Sequence, residues 1–283
     1  MPTNTIDLIN SNYFKYLSKN RIHQEWTLCL GAGICKGILP DWIELTYRIV
    51  IRCFNFNWSL DEFKQHTRDV GFSLDSWIQG SLNKHILSDN ANNILTFNQI
   101  LEEELYKDLL ENANKYKIRD DVIMSFEHPK KLNLKQLRNV CDFFEKEYGN
   151  TTLMVLVNLL LEPISSISRP NQIVTFNADT LLYSLLVIFN IRKNDIGTND
   201  LKFPKEPYRK ITKPYETWGD NIPIFQIHGS ISPKSITRKT INDSRDDLVF
   251  LESSYTILKL REVCLVGPNQ IFYTLHKITN LYF

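Results

Sequence analysis

The chain has 283 residues, 43% of them hydrophobic and 12% aromatic, which is enough to bury a substantial core. Its 33 basic and 32 acidic residues leave a net charge of +1, so no overall field favours binding to nucleic acid or to an anionic membrane. We find no secretory signal pattern near Met1, and the longest apolar run, 153–161, is too short to span a bilayer. These features favour a cytoplasmic protein.

The cysteines give no sign of a disulfide framework or of a zinc module. Their number is odd, their spacing is wide, and no C-x-x-C pair occurs. We therefore expect no bound metal, and we expect most of these side chains to be small buried apolar groups. The cysteines are Cys29, Cys35, Cys53, Cys141 and Cys264.

The first third of the chain begins with a predicted helix over 7–21, where apolar residues recur at helical spacing. A strand over 26–30 then leads into the turn Gly31-Ala32-Gly33. Glycines at the end of a strand let backbone N–H groups approach a phosphate without interference from a Cβ. Asp41 is a predicted N-cap for the amphipathic helix that follows.

Helical patterns dominate from about residue 57 to residue 150. The clearest is 100–110, where leucines line one side and a Glu103/Lys107 pair lies on the other. Further helices are predicted over 134–148 and 152–161. We interpret this block as a helical insertion, and we expect contacts with other proteins, or gating, to involve it.

Strand character returns after this block. A strand is predicted over 172–176, followed by an apolar helix over 180–189. The stretch 192–220 is charged, contains proline and reads as loop, and short strands are predicted at 222–227 and 248–251. Strands that alternate with helices predict a parallel sheet with helical crossovers.

The predicted fold class is α/β, with a Rossmann-like parallel sheet, flanking helices and an inserted helical subdomain. A single domain is expected over 1–283, with the core at about 22–54 and 170–283 and the insertion at about 55–165. The apolar stub that ends at Phe283 indicates a truncated C-terminus.

Glycine or polar residues follow three of the predicted strands. Gly31 follows the first, Asn177 and Asp179 follow the second, and His228 and Gly229 follow the third. Ligands of open parallel sheets bind outside the carboxyl ends of the strands, so we expect these residues to converge. Each also has a structural interpretation, since Asp179 can cap a helix, Asn177 can form a turn and His228 can be an ordinary loop residue.

These segments resemble the sirtuin family in their order and spacing. They are most similar to the sirtuin-like domains of bacterial anti-phage defence systems, over about 22–54 and 170–256. The motifs that carry the resemblance are Gly31-Ala32-Gly33-Ile34-Cys35, Leu39-Pro40-Asp41-Trp42, Thr175-Phe176-Asn177-Ala178-Asp179, Ile227-His228-Gly229 and the segment 248–255.

The resemblance implies a site for NAD⁺, with NAD⁺ as substrate and no metal. It makes His228 the general base, for which histidine has a suitable pKa, and Asn177 the group that holds water or a ribose hydroxyl. The glycine turn would face the pyrophosphate, and the Pro40-Asp41-Trp42 segment would cover the nicotinamide end. The binding residues that it implies are Gly31, Ala32, Gly33, Cys35, Pro40, Asp41, Trp42, Thr175, Asn177, Asp179 and Gly229.

The chain departs from the family at several positions. Cys35 stands where serine is common, and Phe176 stands where deacetylating sirtuins have glutamine. The four-cysteine zinc module of the deacetylases is absent from the sequence. These departures favour NAD⁺ hydrolysis to nicotinamide and ADP-ribose in anti-phage defence over protein deacylation. A weakly catalytic NAD⁺- or ADP-ribose-binding or assembly module is the main alternative.

The resemblance also implies partners. A homo-oligomer is expected, or a sensor or partner protein that is either separate or fused C-terminally. Neither a membrane nor direct contact with nucleic acid is expected. We read Cys35 as a packing residue rather than a nucleophile, because the sequence places no base beside it.

Overall fold

The computed structural model describes most of the chain. The predicted helix over 7–21, the predicted strand over 248–251 and the chain end at Phe283 lie outside the described residues. Within them the protein is mixed α/β, with a four-stranded parallel sheet flanked by helices, which is consistent with a Rossmann-like arrangement. The described residues are 26–88, 93–162, 169–194, 207–211 and 219–233.

The four strands pair in the order β1-β2-β4-β3, and every pairing is parallel. The register places Leu30 opposite Thr175, and Thr175 opposite Gln226, so the carboxyl ends of β1, β2 and β4 lie level with one another. The residues that follow these three strands therefore leave the sheet side by side. The strands are β1 (Thr27–Leu30), β2 (Gln172–Thr175), β3 (Tyr208–Ile211) and β4 (Ile222–Gln226).

Strand β3 corrects the sequence analysis, which took 192–220 as loop. The strand is short, and Arg209 and Lys210 at its centre hide its alternation in a charged stretch. Among the described strands it lies at an edge of the sheet, where charged side chains are tolerated. Tyr208 anchors it, since this side chain is 1% exposed and its hydroxyl donates to the Leu160 carbonyl at 2.8 Å.

Seven helices lie between β1 and β2 in the described chain, and an eighth follows β2. The helices predicted over 100–110, 134–148 and 152–161 are confirmed, and the one predicted over 180–189 continues to Lys193. The helices are α1 (Trp42–Phe54), α2 (Leu60–Val70), α3 (Leu74–Ser88), α4 (Asn93–Lys115), α5 (Arg119–Glu127), α6 (Leu134–Tyr148), α7 (Thr152–Leu161) and α8 (Leu181–Lys193).

Local capping signals explain where several helices begin. The carboxylate of Asp41 accepts the Glu44 N–H at 3.0 Å, as its predicted role as the N-cap of α1 requires. Ser59 and Glu62 form a reciprocal capping box at the start of α2. A capping box also opens α6. The sequence therefore fixes these helix starts locally.

Helix α8 lies at the centre of the core. Ten of its 13 residues are buried, and it packs against α5, α6, α7 and β3. A helix that is apolar on nearly every side needs protein on nearly every side. One cluster of buried apolar side chains accordingly runs from Leu30 and Ile173 in the sheet, through Leu185 in α8, to Leu109 and Val140 in α4 and α6. The sheet and these helices share this core.

Candidate functional site

A cavity of about 320 Å³ opens at the carboxyl ends of β1, β2 and β4. Small-molecule sites have volumes of roughly 300–1,000 Å³, so this one suits a ligand or a part of one. Its lining, all from described residues, is mainly apolar and includes two carboxylates and one imidazole but no lysine or arginine. The lining residues are Ala32, Cys35, Leu39, Pro40, Trp42, Leu45, Asp75, Leu105, Phe176, Asn177, Ala178, Asp179 and His228.

The cavity brings together residues that the sequence analysis singled out in three separate segments. The predicted residues in its lining are Ala32, Cys35, Pro40, Trp42, Asn177, Asp179 and His228. The other predicted residues each adjoin a lining residue in the sequence, and these are Gly31, Gly33, Asp41, Thr175 and Gly229. The level strand ends of the parallel sheet explain this convergence.

Gly31 and Gly33 are exposed beside the cavity, where a short 3₁₀ turn follows β1. A Cβ built on either glycine meets no other atom within 4 Å. Gly31 has an ordinary extended backbone with φ of −104°, and Gly33 does not have a positive φ. Neither packing nor backbone conformation therefore requires glycine here, and both residues border open space.

Gly229 differs from these two glycines because its backbone requires a residue without a side chain. Its φ is +79°, and its N–H donates to the Gln226 carbonyl at 3.2 Å in the turn that ends β4. This turn places His228 on the cavity wall. The half-buried imidazole lies 6.2 Å from the ring of Phe176, measured between centroids, and the two rings are tilted by 58°.

The loop after β2 is held by its own side chains. The hydroxyl of Thr175 accepts the backbone N–H of Asn177 at 3.1 Å, and the carboxylate of Asp179 accepts the N–H of Leu181 at 2.9 Å. Asp179 therefore stabilises the start of α8, although it lies one residue before the N-cap, Thr180, and is not the N-cap itself. Its remaining acceptor capacity faces Cys35.

Cys35, Asn177 and Asp179 form a buried polar cluster at the cavity. The sulfur of Cys35 lies 3.4 Å from Oδ2 of Asp179 and 3.6 Å from Oδ1. Nδ2 of Asn177 donates to the same sulfur at 3.3 Å. Oδ1 of Asn177 is buried and has no hydrogen-bond partner in the described part of the chain.

Burial controls the protonation of this cluster. Burial, and next the charge of Asp179, raise the pKa of the Cys35 thiol well above its ordinary value, so the sulfur is a neutral donor and a poor nucleophile. Burial also raises the pKa of Asp179, and the hydrogen bonds from Leu181 and Cys35 oppose that shift. Hydrogen bonds from protein groups thus partly offset the cost of burying the Asp179 carboxylate.

Tyr106 of α4 joins the loop after β2 to the loop after β4, a role that the sequence analysis missed. Its side chain is fully buried, and its hydroxyl donates to the Ile231 carbonyl at 2.6 Å and accepts the Thr180 N–H at 3.2 Å. Burial raises the pKa of this hydroxyl, which keeps it a donor. The one sequence feature that could have indicated this role is the tyrosine hydroxyl beside the apolar side of the 100–110 helix.

Three further residues, Asp75, Leu105 and Gln226, extend the site beyond the sequence prediction. Asp75 of α3 and Leu105 of α4 line the cavity, so helices between β1 and β2 form part of its wall. Gln226, the last residue of β4, donates from Nε2 to the Asp179 carbonyl at 2.8 Å and links two strand ends. The places of Asp75 and Leu105 in the cavity wall depend on helix packing, which no local sequence pattern specifies.

Within the described residues we find no group of three or more histidine, cysteine, aspartate or glutamate side chains that could hold a metal ion. None of the helices described is both long and apolar enough to cross a membrane. Comparison with known protein families, curated proteins and solved structures finds no match to this chain.

Proposed function

We propose that this chain is an NAD⁺ glycohydrolase that converts NAD⁺ and water into nicotinamide, ADP-ribose and a proton. The observation that carries the proposal is the cavity at the ends of β1, β2 and β4, where Cys35, Asn177 and His228 come together. The sequence resemblance to sirtuin-like domains suggests which reaction is catalysed, and the cavity is where we propose that it takes place.

The lining of the cavity favours the nicotinamide end of the dinucleotide. Trp42 and Phe176 offer aromatic faces, and Asp75 and Asp179 bring negative charge. A planar cationic pyridinium suits such surroundings, whereas a phosphate would be repelled by the carboxylates. The pyrophosphate would then lie outside the cavity, along the open side of Gly31 and Gly33.

The residue types suit cleavage of an N-glycosidic bond. As the bond from C1′ to nicotinamide breaks, the bonding electrons leave with neutral nicotinamide and positive charge develops on the ribose. The carboxylates near the cavity stabilise that charge, and Asn177 holds a ribose hydroxyl or the attacking water. His228 takes a proton from the water as its oxygen bonds to C1′, because an imidazole accepts a proton near neutral pH.

The test is incubation of the intact chain with NAD⁺, followed by chromatography for nicotinamide and ADP-ribose. His228→Ala and Asn177→Ala should each abolish release, whereas His66→Ala, a change at an exposed histidine outside the cavity lining, should leave it unchanged. If the wild-type chain releases neither product, the proposed hydrolase activity is wrong. Full activity in His228→Ala would remove the assignment of the general base.

An NAD⁺- or ADP-ribose-binding or assembly module is the second candidate. It is favoured by the cluster at Cys35, where polar groups of the cavity already bond to each other. Calorimetric titration that shows NAD⁺ binding with no nicotinamide release would select this function. Nicotinamide release only in the presence of an acetylated peptide would instead select protein deacylation.

The wider setting rests on the sequence resemblance alone. We propose an effector of bacterial anti-phage defence that acts in the cytoplasm, as a homo-oligomer or with a sensor protein. The helices within about 55–165 would form the inserted subdomain that makes those contacts. Light scattering of the purified chain, alone and with candidate partners, measures the predicted assembly, and a strictly monomeric chain that captures no partner would contradict it.

A further inference from the structure

Cys35 lies between two polar side chains that both come from the loop after β2. Its sulfur is close to the carboxylate of Asp179, at 3.4 Å and 3.6 Å from the two oxygens, and accepts a hydrogen bond from Nδ2 of Asn177 at 3.3 Å. The residue is 4% exposed. A protonated thiol here donates to the carboxylate and accepts from the amide at the same time.

These contacts fix the orientation of the Asn177 amide. Its Nδ2 donates to the sulfur, and its backbone N–H donates to the Thr175 hydroxyl. Its Oδ1 has no hydrogen-bond partner among the described residues. The residue is only 7% exposed, so bulk solvent hardly reaches this oxygen. A buried acceptor without a donor is costly in a native protein, so this oxygen indicates a donor that the described residues do not supply.

We propose that Cys35 is a positioning residue that holds Asp179 and Asn177 in place, so that the Asn177 oxygen remains free to accept a hydrogen bond from a hydroxyl of the ligand. The proposal rests on the proposed function for the identity of that ligand, because the ribose of NAD⁺ carries such hydroxyls. The contacts of the thiol with the two residues belong to the free protein and can be tested without any ligand.

Cys141 provides a matched control. It is also a fully buried free cysteine, but it lies on α6 and outside the cavity lining, and its sulfur is 3.9 Å from the Ile188 carbonyl oxygen. Replacing either cysteine by alanine removes a buried thiol of the same size. Only the change at Cys35 removes a group that contacts Asn177 and Asp179.

The first experiment measures the S–H stretching band in the ligand-free protein. Infrared difference spectra between wild type and Cys35→Ala, and between wild type and Cys141→Ala, isolate the two bands. We expect the Cys35 band at lower frequency, because a thiol that donates to a carboxylate has a weakened S–H bond. A Cys35 band at or above the frequency of the Cys141 band would overturn the proposal.

The second experiment is calorimetric titration with NAD⁺ of the intact chain. Cys35→Ala should bind about threefold to tenfold more weakly, the usual effect of one lost hydrogen bond, because the amide is no longer fixed. Cys35→Ser, which retains a donor and an acceptor, should stay within about twofold of wild type, as should Cys141→Ala. Wild-type affinity in Cys35→Ala, or equal weakening in Cys35→Ser, would overturn the proposal.

The two measurements separate this inference from the proposed function. If wild type shows no NAD⁺ binding, the proposed function fails, and the S–H band still decides whether Cys35 contacts the carboxylate. If the band lies as expected and NAD⁺ binds without being cleaved, the positioning role stands and the hydrolase assignment falls.

Discussion

Individual residues at the cavity combine structural and proposed ligand-binding roles. Asp41 caps α1, Thr175 holds the loop after β2, and Asp179 holds the start of α8. Thr180, not Asp179, is the N-cap of α8, but the Asp179 carboxylate still accepts the Leu181 N–H at the start of this helix, and that contact is compatible with a place in the cavity lining. Asp41 and Asp179 were found because each lies just before a predicted helix, whereas Thr175, the last residue of β2, was named only through the family resemblance.

The contacts of Cys35 could not be predicted from the residues around it in the sequence. From the sequence we read Cys35 as a packing residue rather than a nucleophile, because no base lies near it in the chain, and the resemblance also placed it among the binding residues. In the structure it meets Asp179, 144 positions away, and Asn177, 142 positions away. A contact of that separation depends on the pairing of β1 with β2, which no local pattern specifies.

Gly31 gives a prediction at this scale. Gly31→Ala should leave the unfolding temperature nearly unchanged, because the backbone is extended and a Cβ meets nothing within 4 Å. It should weaken NAD⁺ binding, because the Cβ enters the space proposed for the pyrophosphate. Thermal unfolding and calorimetric titration measure the two effects.

Gly229→Ala is the control for this prediction. Its φ of +79° disfavours alanine, so this change should destabilise the fold by about 1 kcal/mol or more. Unchanged NAD⁺ affinity in Gly31→Ala would remove the glycine turn from the binding site.

At the scale of elements, periodicity predicted the helices well and the sheet partly. The strands at the two ends of the β1–β2 crossover were recognised because their apolar runs meet turn residues. Strand β3 was missed because it is four residues long, with charges at its centre. Helix α4 was expected from the 100–110 pattern, and α3 lies in the block where helical patterns dominate. Their part in the cavity wall was not expected, because it depends on how they pack.

Tyr106 gives a prediction about the contact between elements. Tyr106→Phe leaves the buried Thr180 N–H and the Ile231 carbonyl without the hydroxyl that joins them. We expect a loss of about 2–3 kcal/mol in the free energy of unfolding, because each orphaned group keeps its desolvation cost. Denaturant unfolding at neutral pH measures this loss.

Tyr116→Phe is the matched control, since that hydroxyl bonds to the exposed Glu147 at the surface. We expect this variant to change stability by less than about 0.5 kcal/mol. Equal stabilities of the two variants would mean that Tyr106 does not tie the cavity loops.

At the scale of the whole molecule, the described sheet and helices share a core that supports the cavity. The buried cluster joins the sheet to the helices between β1 and β2, so the cavity residues from five separate segments rest on a common support. The sequence could predict the α/β class and the strand ends that converge. It could not predict which helices close the cavity, since that is a property of the packed core.

The buried carboxyl group of Asp179 makes the stability of the fold depend on pH. Burial raises its pKa in the folded protein above the unfolded value, so its charge opposes folding at neutral pH and this penalty disappears as the pH falls. Asp179→Asn should therefore be more stable than wild type at pH 7, because an amide oxygen can still accept the Leu181 N–H. The difference should shrink towards acidic pH.

Thermal unfolding of both proteins from about pH 7 to pH 4, a range that extends down to the ordinary pKa of aspartate, measures this linkage. A variant that is less stable than wild type by the same amount at every pH would contradict it. Loss of NAD⁺ cleavage in the more stable variant would identify Asp179 as a residue whose charge serves the site at the expense of the fold.

NAD⁺ hydrolysis by this chain is tested most directly by the release of nicotinamide from NAD⁺ by the intact chain, measured by chromatography beside His228→Ala. We predict equal amounts of nicotinamide and ADP-ribose from wild type and neither product from the variant, with both proteins folded by circular dichroism. Neither product from folded wild type would contradict the proposed hydrolase activity, and equal release from His228→Ala would contradict the role of His228 as general base.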